Sequence, residues 1–299
     1  MKIPTKKAGN FELPVLGFGT WRMGGEGERD LNNDDTKDVT AIKKAVEVGL
    51  YHIDTAEYYA AGHSEELVAK AIADIPRDEL FITTKVSPWN FKKDDLIKSC
   101  QASLKRLKVD YVDLYLLHFP SDEIPIAETM STLDQLVSEG LIKNIGVSNF
   151  TVPLIEQAQA VTKNKIVNNQ IHFSPTARAH IDNGTVKYCQ ENDILVTSYR
   201  PIGYYKPKYK HLSGEIAPLE PSTNKQLIED LAKKYNKTPS QIVLNWVIAQ
   251  PNIVTLFKST SPEHIKENIG SIGWELSLDD IDKITNEYPV GDTINVPES

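Results

Sequence analysis

The chain has 299 residues, 40% of them hydrophobic and 25% charged, enough for one large domain or two ordinary ones. Its formal net charge of −8 argues against nucleic acid as a partner, and no run approaches the roughly 18 apolar residues of a membrane span. Met1-Lys2-Ile3-Pro4-Thr5-Lys6-Lys7 has no apolar stretch of a secretory signal, and the two cysteines, Cys100 and Cys189, lie far apart with no CxxC, so a cytoplasmic protein with two bystander thiols is expected.

The stretch Asn10-Phe11-Glu12-Leu13-Pro14 reads as a short hairpin, placed as a lid over the bottom of the fold. Residues 16–20 then open a rhythm of short, β-rich apolar runs alternating with longer stretches of helical period. A helix over 35–48 carries Val39, Ile42, Ala45 and Val46 on one face and stops at Gly49. After a run at 52–54 comes a helix over 64–73, whose Glu65 and Glu66 suit a helix N-terminus. A run at 81–85 is followed by a helix over 94–107, with Leu96, Ile97, Cys100, Leu104 and Leu107 on one face. The remaining runs are 112–118, 142–147, 167–171, 195–199 and 253–257. Helices over 126–139, 152–160 and 182–192 fill the next gaps. The long seventh interval holds two, 224–235 and 239–248, the second opening with Thr238-Pro239. Helices over 262–269 and 278–286 close the chain.

Eight β/α units in a chain of this length close most simply into a (β/α)8 barrel, with an N-terminal hairpin and extra C-terminal helices, as one domain over 1–299. A doubly wound open sheet fares worse, because Gly17-Phe18-Gly19 leads into Thr20-Trp21 and a polar loop rather than a helix.

In such a barrel, chemistry gathers at the C-terminal ends of the strands. Those ends carry Trp21, Asp54, Lys85 and His118, then Ser148-Asn149, Gln170, Tyr199 and Lys258-Ser259. Taken singly, Asp54 reads as a cap, Lys85 as a solvated strand end and His118 as a structural histidine. Their position at the same end of consecutive strands weakens those readings, and Asp54 with Lys85 on adjacent strands can pair.

The stretch Tyr51-His52-Ile53-Asp54-Thr55-Ala56-Glu57-Tyr58-Tyr59, followed by Gly62-His63-Ser64-Glu65, resembles the signature of the aldo-keto reductase superfamily. Phe81-Ile82-Thr83-Thr84-Lys85, Asp113-Leu114-Tyr115-Leu116-Leu117-His118 and Ile145-Gly146-Val147-Ser148-Asn149-Phe150 are similar to further motifs of that family. So is Lys258-Ser259 with Glu267-Asn268. The matches run from Gly17 to Asn268 in the family's order. The resemblance implies a tetrad. Tyr59, five residues after the aspartate and so preferred to Tyr58, is the general acid for carbonyl reduction. Lys85 favours its phenolate, Asp54 holds the lysine, and His118 orients the carbonyl. It also implies an NADPH site. Ser148, Asn149 and Gln170 meet the nicotinamide carboxamide, Tyr199 stacks on the ring, and Thr20, Arg200, Lys258, Ser259, His264, Glu267 and Asn268 complete the set.

Three residues depart from the family pattern. Ala60 stands where glycine is usual, and this matters if the position needs a positive φ. Arg200 stands where serine is common, suggesting a charged grip on the pyrophosphate. His264 replaces an arginine expected against the 2'-phosphate, so tolerance of NADH is expected. Trp21 and Trp89 are read as walls of the substrate pocket, whereas Trp246 and Trp274 are read as packing. The loop 22–34 is read as a lid, and 201–221 as a clamp over the pyrophosphate. The short polar tail after Tyr288 tilts the substrate toward small aldehydes, dicarbonyls and sugar-derived ketones. The expected partner is thus a small carbonyl compound, for a monomer with no nucleic-acid, membrane or metal partner. The runner-up is a cofactor-binding regulatory subunit of the kind that accompanies potassium channels, which would carry an N-terminal segment ahead of the hairpin. A metal-dependent hydrolase is disfavoured by the lack of H-x-H or clustered carboxylates at strand ends.

Overall fold

The computed structural model describes residues 3–202, 210–211, 214–215 and 225–287. The segment read as a clamp lies mostly outside these residues, and the tail after Tyr288 lies wholly outside them. Strands β1 (Thr5–Ala8) and β2 (Phe11–Pro14) form the expected antiparallel hairpin, with Ala8 opposite Phe11. Ala8, Phe11 and Leu13 face inward and pack on Leu114, Leu116, Leu195 and Val254, so the hairpin seals the barrel floor.

Eight parallel strands close the barrel: β3 (Leu16–Gly19), β4 (His52–Asp54), β5 (Phe81–Val86), β6 (Leu114–Leu117), β7 (Ile145–Ser148), β8 (Ile166–His172), β9 (Leu195–Tyr199) and β12 (Ile253–Phe257), with β12 joining β3 to β9. Between β9 and β12, β10 (Lys210–His211) and β11 (Gly214–Glu215) pair separately. Most barrel strands are buried along almost their whole length, as a sheet with a filled interior and a helical coat requires.

Helices α1 (Asp35–Glu47), α2 (His63–Ile72), α3 (Lys93–Leu107), α4 (Ile126–Ser138) and α5 (Val152–Gln159) fall in the expected gaps. Asp34 caps α1 through the Lys37 N–H. The sixth helix is not continuous. It splits into α6 (Ala179–Asp182) and α7 (Thr185–Glu191), because Gly184 takes a left-handed turn (φ 80°) that no helix interior accommodates. Two strands also start late. Val112 and Ile142 share one isolated bridge, and between it and the regular ladder the Asn144 side chain donates to the Asp113 carbonyl. Helices α8 (Lys225–Tyr235), α9 (Pro239–Ala249), α10 (Pro262–Ile269) and α11 (Leu278–Glu287) follow, and Thr238 and Gln241 form a capping box on α9. Trp246 is fully buried and stacks on Phe173, and Trp274 bonds the Gly270 carbonyl, so both are packing residues. Among the described residues no helix is long and apolar enough to cross a membrane.

One local conformation has a measurable cost. Ala60 and Ala61 both adopt left-handed geometry (φ 53° and 52°). Their N–H groups thereby meet the carbonyls of Glu26 (2.5 Å) and Gly27 (3.0 Å), which docks the loop after β3 against the turn after β4. A side-chain-bearing residue in this region costs about 1–2 kcal/mol. Ala61 is exposed and buries no methyl in return. Ala61→Gly is therefore expected to stabilise the protein by roughly 0.5–1 kcal/mol, raising Tm by about 2 °C. Ala60→Gly should gain less, since it gives up a buried methyl worth about 0.8 kcal/mol. Thermal unfolding of both variants checks the ranking.

Candidate active site

The barrel topology brings four predicted side chains to one end. Asp54 ends β4, Lys85 lies at the top of the adjacent β5, His118 follows β6, and Tyr59 opens the 3-10 turn Tyr59–Gly62. Lys85 Nζ donates to Asp54 Oδ1 (2.6 Å), to the Thr55 carbonyl (2.8 Å) and to the Tyr59 hydroxyl (3.1 Å). The ammonium thus uses its three donors inside the protein, and Lys85 is fully buried. Tyr58 takes no part in this network. Its ring stacks on Trp21 (6.0 Å between centroids, 13°) and meets Trp89 edge-on.

The electrostatics follow from burial and the ion pair. Burial alone would depress the Lys85 ammonium, but the Asp54 carboxylate and the Tyr59 oxygen together more than offset it and hold the lysine above its ordinary pKa. Burial pushes the Tyr59 phenol up from 10, and Lys85 pulls it back down, with a smaller pull from Arg200. The pull expected of the lysine is therefore present, and it acts against a desolvation penalty. His118 is driven well below 6.5 by burial and then by the Lys85 charge, so its imidazole is neutral near pH 7. Its ring meets the edges of Tyr58 and Tyr59 and stacks on Phe119.

Trp21 crosses Tyr59 at 4.8 Å and so lies against the tetrad. Trp89 sits further out, 59% exposed on the turn Pro88–Asn90. With Glu28, Glu57, Tyr58 and Asn90 it lines a flanking cavity of about 280 Å³. Glu57 braces that turn by accepting from the Ser87 N–H (2.8 Å) and Asn90 Nδ2 (2.9 Å).

The residues expected to hold the cofactor fall into two groups. The first adjoins the tetrad. Ser148 Oγ donates to the Gln170 carbonyl, Asn149 Nδ2 donates to Ser148 Oγ, and the Tyr199 hydroxyl donates to Asn149 Oδ1 (2.8 Å). Asn149 is left-handed (φ 62°), which turns its side chain back toward Tyr199. Gln170 reaches instead to the tetrad, donating to Asp54 Oδ2 (2.8 Å). Thr20 is buried, and its hydroxyl bonds the Asp54 carbonyl and receives Ser64 Oγ, so it ties β3 to β4. The charge of Arg200 is felt at Tyr59 and Tyr199. The second group follows β12, the strand between β9 and β3, and runs into α10. There Lys258 is exposed, Ser259 bonds the Ser261 N–H, and His264 lies exposed in the first turn of α10. Glu267 and Asn268 follow in α10, with Asn268 buried.

Two neighbours escaped the sequence reading. His172 stacks on Tyr199 (5.5 Å, 12°), and Phe119 backs His118. His172 lies two residues beyond Gln170 on the same strand, so a strict period of two would have found it.

Residues 15–288 match the profile of the Aldo/keto reductase family. The methylglyoxal reductase DkgB of Escherichia coli O157:H7 is 36% identical over 273 residues, 90% of either chain. Among solved structures, the thermostable aldo-keto reductase Tm1743 in complex with the inhibitor epalrestat superposes with a TM-score of 0.88 at 37% identity, covering 95% of this chain and 100% of that one. The aldo/keto reductase of Klebsiella pneumoniae, in complex with NADP and acetate, gives 0.82 at 29% identity and 98% of both chains.

Proposed function

This chain belongs to the aldo/keto reductase family, and on that premise we propose that it is an NADPH-dependent reductase of small aldehydes, dicarbonyls and sugar-derived ketones, with Tyr59 as general acid. The observation that carries this reading is the buried Lys85 ammonium, bonded at once to Asp54 and to the Tyr59 hydroxyl. A phenol is a poor acid near neutral pH unless a cation stabilises its conjugate base, and here the cation is fixed within hydrogen-bond reach.

The donor set suits the cofactor. Ser148, Asn149 and Gln170 supply hydroxyl and amide groups for a carboxamide beside the flat Tyr199 ring. Lys258 and Ser259 precede the N-terminus of α10, where a phosphate is favoured by charge and by helix polarity. NADPH supplies the hydride when bound. In this reading Tyr59 delivers its proton to the carbonyl oxygen, and Lys85 stabilises the phenolate left behind. Asp54 keeps the lysine aimed. Neutral His118 orients the carbonyl through a ring N–H, a role its low basicity suits. Trp21 forms the inner wall of the substrate pocket and Trp89 its outer rim. The likeness to a methylglyoxal reductase supports the small dicarbonyl class.

His264 offers less than a guanidinium would to a 2'-phosphate. The test is consumption of NADPH and of NADH at 340 nm with methylglyoxal, glyoxal, benzaldehyde and a ketose. Turnover with the small dicarbonyls is expected, with KM for NADH less than about a hundredfold above that for NADPH, a gap of under roughly 2.7 kcal/mol. No aldehyde-dependent oxidation of either cofactor would reject the reductase reading, and a wider KM gap would reject the part given to His264.

A further inference from the structure

Gln170 makes a contact that a cofactor-holding role alone does not call for. In the strand order of the barrel, β8 lies four positions from β4, directly across the mouth. The Gln170 side chain spans that mouth and donates to Asp54 Oδ2 at 2.8 Å. A carboxylate only accepts, so the nitrogen end of the amide must face it. The main chain fixes the reach, because the Gln170 carbonyl accepts the Asn149 N–H (2.9 Å) and Ser148 Oγ (2.9 Å). Asp54 is therefore shared, with Oδ1 on Lys85 and Oδ2 on Gln170. All three side chains are buried.

We propose that Gln170 is a positioning residue that sets the acidity of Tyr59 through Asp54. The argument is one of charge. Two groups favour the Tyr59 phenolate, Lys85 from β5 and Arg200 from the end of β9, and Asp54 on β4 opposes it. His118, beyond β6, is neutral, and Tyr199 faces the same space uncharged. The Gln170 amide dipole offsets part of the Asp54 charge. This weakens the carboxylate's repulsion of the phenolate and leaves more of the Lys85 field for the phenol. Loss of that donor returns the full carboxylate charge to the site and makes Tyr59 a weaker acid.

The inference rests on the reading of Tyr59 as the proton donor, and the test separates the two. The pH profile of kcat for methylglyoxal reduction is measured at saturating NADPH for the wild type, Gln170→Leu and the near-isosteric Gln170→Glu. The limb that disappears with Tyr59→Phe is expected to move up by roughly 0.5–1 pH unit in the leucine variant and to stay near the wild-type position in the glutamate variant, whose buried carboxyl beside Asp54 is held protonated and so restores the donor. A 13C-tyrosine NMR titration, with the Tyr59 signal assigned by its absence in Tyr59→Phe, should show the same order without turnover. A purely structural disturbance would lower kcat evenly across pH and leave the limb in place. A rise in KM for NADPH with limb and tyrosine titration unmoved would make Gln170 a cofactor ligand alone and overturn the inference. A wild type that turns over no carbonyl would overturn the reductase reading instead, and the NMR order would still decide the role of Gln170.

Discussion

Replacing Tyr59 by phenylalanine is expected to lower kcat for carbonyl reduction by about 10²–10⁴-fold, the usual worth of a positioned general acid, while the dissociation constant for NADPH moves less than about threefold. The variant removes one oxygen. That oxygen accepts from Lys85 at 3.1 Å, whereas the Tyr199 hydroxyl of the cofactor group donates to Asn149 Oδ1. Lys85 keeps its bonds to Asp54 and the Thr55 carbonyl, so the ion pair survives the change. Tyr58→Phe is the matched control. Its hydroxyl lies beside Gly27, away from Lys85, and its ring serves the stack with Trp21. A loss of less than about threefold is expected there. Steady-state kinetics and fluorescence titration with NADPH read both quantities. If Tyr58→Phe were the inactive variant, the choice of Tyr59 over its neighbour would be wrong.

The choice between those two tyrosines shows what the sequence made legible. The resemblance, whose tyrosine stands five residues after the aspartate, selected Tyr59, and the structure places that hydroxyl on Lys85. Several strands were readable because a strand buried on both faces is a nearly unbroken apolar run, and runs such as 114–117 and 253–257 left little ambiguity. The strand ends at 112 and 142 were less legible. There a side-chain amide, Asn144, bonds the main-chain carbonyl of Asp113, a local contact that composition does not encode. The break at Gly184 was visible as a residue type but not as a conformation, since a lone glycine inside a helical pattern is compatible with either outcome. The question left open at Ala60 was likewise one of backbone geometry. The positive φ is present, and Ala61 shares it, because both N–H groups are turned to serve the loop carbonyls of Glu26 and Gly27. The partner of Gln170 depended on which strands face each other across the closed barrel, a relation between residues 116 apart in sequence.

Lys85→Met should bring the second large effect, on stability as well as on rate. The substitution keeps much of the side-chain volume and removes the charge that Asp54 Oδ1 depends on at 2.6 Å. Asp54 stays buried, with Gln170 as its side-chain donor. Removing one partner of a buried ion pair typically costs about 3–5 kcal/mol, because the other charge is left uncompensated. For a chain of this size that is a fall in Tm of roughly 6–20 °C. The sign of its pH dependence also follows. Burial already raises the Asp54 carboxyl, and without Lys85 it rises further. A folded pKa above the unfolded one means that the folded variant binds the extra proton. Its stability is thus fully present below the unfolded carboxylate range and is lost as pH rises toward the folded value. Thermal unfolding should therefore show the deficit of Lys85→Met widening from pH 5 to pH 8. Asp54→Asn in the same chain removes the stranded charge, so the double variant should recover most of the lost stability and none of the lost turnover. Such a recovery would separate the two jobs of the pair, since a neutral asparagine and methionine can fill the barrel mouth but cannot supply the cation that the proposed role of Tyr59 as general acid requires. An additive double variant, as unstable as the two single losses summed, would mean that Asp54 and Lys85 are not coupled as their geometry requires.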